Sequence, residues 1–246
     1  RLSTQWKETL SAYDTDSKGQ IATNEMEHPS WDSDWKAWNP NTISTHSIPV
    51  GSFEVDLTTI AGDMPSDEFS LSIENPVQLP LCATLPRDAS LLITSSGKQR
   101  AACIAFIQNA MIRVLTSVAP GKAKFTLIDP VGLGQSFANV LHLADYEESK
   151  LLDRAWTEPR HIETQLARLT EHMETVIQKY LRNEFQSIDE YNEQAGEIAE
   201  PYRFLVIADL PNNFSENAVK RLASIITSGQ RCGVHVIIHR DTSLPL

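Results

Sequence analysis

The sequence predicts an α/β domain built on a parallel sheet with helices on both faces, preceded by a β-rich, loop-rich extension. Three observations carry this. Short apolar runs such as Phe204–Ala208 and Val234–Ile238 are continuous rather than alternating, which marks strands buried on both faces. They alternate with stretches of helical periodicity, the order that yields parallel strands joined by crossovers. Finally, Leu91–Thr94 is followed by Gly97-Lys98 and a long helical run. In that layout backbone N–H groups and a helix N-terminus can converge on an anion.

Length and composition set the bounds. A chain of 246 residues can bury a core as one large domain or as a domain with an appendage. The formal net charge is −11 and no basic tract interrupts it, which argues against autonomous DNA binding. No apolar run reaches the length of a membrane span and no signal-peptide pattern opens the chain. Arg1 in first place and a strand close to Leu246 read as a piece of something longer. Cys82, Cys103 and Cys232 are scattered without metal or redox spacing. They read as thiols of a reducing, cytoplasmic compartment, with Cys103 and Cys232 in apolar contexts.

Residues 1–45 form a polar arm whose apolar anchors are Trp6, Trp31, Trp35 and Trp38. The last three share one face of a short helix and suit docking onto the core or onto a neighbouring copy. Asp14–Gln20 is similar to a calcium loop, but Met26 holds the twelfth position, so a solvated turn is favoured. Residues 46–86 read as an extension of short strands: a hairpin or paired strands around Gly51, then an edge strand within Val77–Leu81. Residues 87–246 form the core. Buried strands are expected at Leu91–Thr94, Phe125–Pro130, Phe204–Asp209 and Gly233–His239. The helix Arg100–Val118 has apolar residues on nearly all sides and should be buried deeply. A second runs from Glu158 to Leu181 with Thr157 as N-cap. A third opens on a Ser187–Glu190 capping box, and a fourth runs from a Ser215 cap to Gly229.

Ligands of parallel sheets sit beyond the carboxyl ends of the strands. Those ends carry Lys98, Asp129, Asp209 and Arg240. A full phosphate loop needs a Gly five residues before Gly97 and a hydroxyl after Lys98; the chain has Leu92 and Gln99 there. Gly-Lys is also a common surface turn, and Asp209 and Asp129 could equally be turn residues. Gly132-Leu133-Gly134 is a lone G-x-G on the wrong side of a strand for a dinucleotide fingerprint and carries little weight. His235 and His239, four apart in a strand, lie roughly 13 Å apart, too far to share a metal.

Together, the strand before Gly97-Lys98, Lys124–Pro130 with its Ile-Asp-Pro, Glu171–Glu174, Ser187–Asn192 with its Ile-Asp-Glu-Tyr-Asn, the strand ending at Asp209 and Gly233–Ile238 resemble the motor domain of the FtsK/SpoIIIE family of DNA translocases. The resemblance covers about residues 88–241. It implies a three-layer RecA-like P-loop NTPase fold that forms hexameric rings around duplex DNA, with settings in cell division and chromosome segregation. By position it implies that Ser96, Gly97, Lys98 and Gln99 lie on the phosphate loop. Asp129, Asp209 and Arg240 line the rest of an ATP site, with Asp209 orienting magnesium. The departures all fall on chemistry. The loop is about three residues short, Gln99 replaces its hydroxyl and Leu210 replaces the catalytic Glu. His239-Arg240-Asp241 replaces the polar sensor. The expectation is a non-catalytic module that has weakened or lost ATP and magnesium. It would act in assembly or regulation with other ATPase modules or copies of itself, and meet DNA only within a larger assembly. The alternative is an active translocase domain with a variant loop.

Overall fold

The computed structural model describes residues 47–62, 75–145 and 151–245, with a few isolated positions before residue 47. The tryptophan arm and the Asp14–Gln20 turn therefore lie, but for isolated positions, outside the described residues. The chain divides into two compact units, Arg1–Asn39 with Pro49–Cys82 and Pro40–Ile48 with Ala83–Leu246.

In the extension, β1 (Ser47–Val55) pairs with β2 (Val77–Thr84) in a two-stranded sheet. The hairpin expected at Gly51 does not form. Gly51 lacks a positive φ, and the strand runs straight through it. The short helix α1 (Leu57–Ala61) follows β1. Asp56 caps it, accepting from the Thr58 amide at 2.9 Å, the Thr58 hydroxyl at 2.7 Å and Asn75 at 3.0 Å.

The core is a five-stranded, wholly parallel sheet in the order β3–β7–β6–β4–β5. Its strands are β3 (Leu91–Ser95), β4 (Ala123–Ile128), β5 (Leu152–Trp156), β6 (Tyr202–Leu210) and β7 (Val234–Asp241). The three central strands β7, β6 and β4 are the apolar runs, as burial on both faces requires. The two edge strands were harder to read. β3 is not buried throughout: Leu92 is 65% exposed, because an edge strand has a neighbour on one side only. β5 was not expected, since Asp153 and Arg154 interrupt its apolar character and both are exposed.

Helices cover both faces. Leu205, Ile207, Val236 and Ile238 share a buried cluster with α4 (Pro159–Thr175), α5 (Ile188–Ala195) and α6 (Glu216–Ser228). Alternation turns Phe204, Val206, His235 and Ile237 to the other face. The helix α2 (Arg100–Ser117) packs on β3 and β7. It buries Ile104, Ile107, Met111 and Val114 but leaves Ala101, Ala102 and Ala105 exposed, so it is one-sided rather than engulfed. A short α3 (Ala138–Leu141) follows the loop after β4.

The caps differ in detail. Glu158, not Thr157, is the N-cap of α4, with Pro159 in the first turn, and the helix continues as a π-helical segment Val176–Leu181. At α5 the capping box does not form: the Ser187 side chain makes no cap bond, and Glu190 accepts from the amide of Gln186, one residue before the cap, at 2.6 Å. Ser215 caps α6 as expected.

Candidate functional site

Because every core strand is parallel, the ends of β3, β4, β6 and β7 bring Lys98, Asp129, Asp209 and Arg240 to one edge of the sheet. Their side chains fall into two groups: a buried hydrogen-bonded network around Asp209 and Asp129, and the remaining expected residues, which stand outside it.

Asp209 is 2% exposed and sits where β6 breaks register against β7. Its backbone is left-handed, φ 57°, a conformation that Asp tolerates better than most side chains. The carboxylate is gripped by Arg100, from the first turn of α2. Nε donates to one oxygen at 2.8 Å and a terminal nitrogen to the other at 2.5 Å. This is the two-pronged geometry in which a guanidinium binds carboxylate most strongly. The same terminal nitrogen of Arg100 reaches the Ser136 hydroxyl at 2.8 Å. Behind Asp209, Nδ1 of His239 lies 3.0 Å from its Oδ1 and 3.3 Å from its amide nitrogen. On the other side of the ring, Nε2 is hydrogen-bonded with the Ser95 hydroxyl at 2.9 Å. His239 is 1% exposed, so this chain of contacts from β3 to β7 to β6 is shut off from water.

Asp129 is fully buried and forms the other half. The glycine pair that seemed uninformative wraps around it. The amides of Gly132 and Gly134 donate at 2.9 and 2.8 Å, the Ser136 amide at 3.1 Å and the Ser136 hydroxyl at 3.1 Å. Gln108 of α2 donates to the Ser136 carbonyl at 2.7 Å. Four donors neutralise most of what burial would otherwise cost a carboxylate. Ser136 is the hinge of the arrangement, bonded to Arg100 on one side and to Asp129 on the other.

The other expected residues stand apart. A single residue, Ser96, separates β3 from a helical turn at Gly97–Gln99 that runs into α2. Gly97 has φ 56°. Ser96, Gly97, Lys98 and Gln99 are exposed, and none of them shares a side-chain bond with Asp209 or Asp129. Arg240 lies inside β7 rather than beyond it, opposite Thr94 and Leu210, and its Nε has no hydrogen-bond partner. Leu210, at the position the catalytic Glu would hold, is buried in the apolar cluster with α4 and α6. Arg100, Ser136 and Ser95 were missed in the sequence. One signal was available: a cation in the first turn of a helix opposes the macrodipole and calls for a nearby anion.

No family model and no curated protein matches this sequence. Solved structures do. EssC (ATPases 2 and 3) from Geobacillus thermodenitrificans aligns over 84% of this chain at 14% identity and a TM-score of 0.54. The conjugation coupling protein TcpA of pCW3, in a monomer form with ATPγS, aligns over 87% at 13% identity and 0.53. Thermomonospora curvata EccC (ATPases 2 and 3), in complex with a signal sequence peptide, aligns over 83% at 16% identity and 0.50. The fold, a five-stranded parallel sheet with flanking helices, is of the RecA-like P-loop α/β type. At these identities the likeness speaks for the RecA-like fold alone. The chain spans 36%, 52% and 30% of those three chains, so it corresponds to a part of each. Among the described residues no helix of this module is long and apolar enough to cross a membrane.

Proposed function

We propose that this FtsK/SpoIIIE-like module is non-catalytic and serves the assembly or regulation of a larger multi-module ATPase. One observation carries the reading: only Ser96 lies between β3 and the helical turn Gly97–Gln99 that leads into α2, where a phosphate loop needs enough backbone to wrap an anion. The neighbouring positions support it. Gln99 offers no hydroxyl to a metal, both oxygens of Asp209 already face Arg100, and Leu210 offers no base. The residues present therefore do not fit a magnesium–nucleotide pair in the manner of the fold family, and no hydrolytic step is assigned to them. Lost positioning and base groups each cost about 10²–10⁴-fold in rate. The partners are other ATPase modules or further copies of this one, in keeping with neighbours solved as multi-ATPase chains. Contact with DNA, or with whatever polymer the assembly moves, belongs to the assembly.

Phosphate release and calorimetry with magnesium and ATP test this on the chain as it stands. The expected result is no turnover and weak or absent binding. Steady hydrolysis abolished by Asp209→Ala would overturn the proposal. Micromolar affinity lost on Lys98→Ala would favour a working translocase domain with a variant loop, in which exposed Lys98 and the α2 N-terminus hold the nucleotide.

A further inference from the structure

Three elements meet at Ser136 and Asp209: the loop after β4, the end of β6 and the first turn of α2. In ATPases of this fold a magnesium ion and the nucleotide it carries stand at the corresponding edge. Here a guanidinium stands there, contributed by the chain itself. We propose that Arg100 is a built-in cation that takes the place of a divalent metal at Asp209 and fixes this edge of the sheet in one arrangement without nucleotide. The inference rests on the non-catalytic reading above and adds what holds the edge together instead.

The geometry supports it at each contact. Asp209 cannot turn away, because its left-handed backbone and the His239 ring behind it set the carboxylate direction. Arg100 meets both oxygens at 2.8 and 2.5 Å and, with the nitrogen left to share, the Ser136 hydroxyl at 2.8 Å. A planar fork can bridge a carboxylate and a hydroxyl simultaneously, as a coordinated metal does. Asp129 is saturated by four donors of its own loop, and it still adds a favourable field at Arg100. The position of Arg100 is otherwise costly, at the positive end of an 18-residue helix. Its anion must therefore be permanent rather than occasional. Gln108, two turns along the same helix, holds the Ser136 carbonyl at 2.7 Å and stops the loop from leaving with the arginine.

Amide hydrogen exchange on the whole chain reads the outcome. In the unsubstituted protein, protection of residues 96–100 and 130–137 should be unchanged by chelator, by Mn²⁺ or by Mg–ATPγS. Arg100→Ala should speed exchange in these two segments by about tenfold or more while the strands β6 and β7 stay protected. Should Arg100→Ala fail to fold, Arg100→Lys keeps the charge and loses the fork. A selective loss confined to the same two segments supports the proposal, and a uniform loss or none overturns it. Protection in the unsubstituted protein that rises with Mn²⁺, with the rise lost in Asp209→Asn, overturns it as well. The two readings fail separately: Mn²⁺ bound at Asp209 without ATP turnover removes the built-in cation and leaves the non-catalytic module intact.

Discussion

At the scale of single residues, the loop Asp129–Ser136 shows how little room the network leaves. A Cβ on Gly132 would lie 2.6 Å from one Asp129 oxygen and 2.6 Å from the Ser136 hydroxyl, although the backbone of Gly132 needs no left-handed conformation. What it meets is a carboxylate pinned by four donors, which cannot yield without breaking several bonds at once. Gly132→Ala is therefore expected to lower the unfolding free energy by about 2–3 kcal/mol, at the upper end of overpacking costs. Gly51→Ala serves as the control. Nothing lies within 4 Å of its Cβ position, and its urea midpoint should stay close to that of the unsubstituted protein. Much of this was hidden in the sequence. Asp129 and Asp209 were legible because both end apolar strands. The cradle of Gly132, Gly134 and Ser136 was not, because its spacing matches no ligand motif: the anion it binds is the chain's own side chain.

At the scale of elements, the two signatures that carry the resemblance part company: Ile128-Asp129-Pro130 belongs to the candidate site, while Ser187–Asn192 lies far from it. Ile188–Asn192 forms α5, near the amino ends of β6 and β7, and its polar residues serve the fold. Asn192 donates to the Glu200 carbonyl at 2.9 Å and accepts from the Glu200 amide at 2.8 Å, clamping the turn that feeds β6. Asp189 accepts from the Tyr202 phenol, and burial, then that bond, raises the phenol's pKa. Ile188 packs where a Cβ on Gly233 would come within 2.9 Å of it, so the glycine, at φ 71°, answers two demands together. Asn192→Ala leaves a half-buried amide and carbonyl without partners, and a loss of about 2 kcal/mol is expected in urea unfolding. A loss under about 0.5 kcal/mol would show that the clamp is incidental. The central strands and the long helices could be read from periodicity because their burial is two-sided or sharply one-sided. β5 could not. An edge strand needs only Leu152 and half-buried Ala155 and Trp156 inward, too few residues to make a pattern.

At the scale of the whole molecule, buried His235 and partly buried His172 tie stability to pH. His172 on α4 is held down to a pKa of about 4 by burial first, then by the charges of Arg203 and Lys124; its Nε2 is 3.9 Å from Glu200, beyond hydrogen-bonding reach. His235 on β7 lies on the other face, fully buried between Tyr202 and Phe204, with ring centroids 6.0 and 5.4 Å away. Neither of its ring nitrogens has a partner, and burial alone takes it to about 4. Both are therefore neutral when folded and ordinary when unfolded, near 6.5. Between those values the unfolded chain binds more protons, so stability is complete above about pH 6.5 and drains away as pH falls toward 4. The two shifts together correspond to at most ~7 kcal/mol, on the scale of the whole stability of an ordinary domain. Carboxylates at Asp56 and Asp241, lowered by their own hydrogen bonds, come into play only below that window. The test is His235→Phe, which keeps a ring against Tyr202 and Phe204 and removes the titrating group. At pH 8 its urea midpoint should lie close to that of the unsubstituted protein, within the ~1–2 kcal/mol that a slightly larger ring can cost. At pH 5 it should be the more stable of the two, and proton uptake on unfolding should fall by about one. Parallel pH profiles for the two proteins would mean that His235 finds a hydrogen-bonding partner, a buried water being the simplest, and carries its charge in the folded state after all.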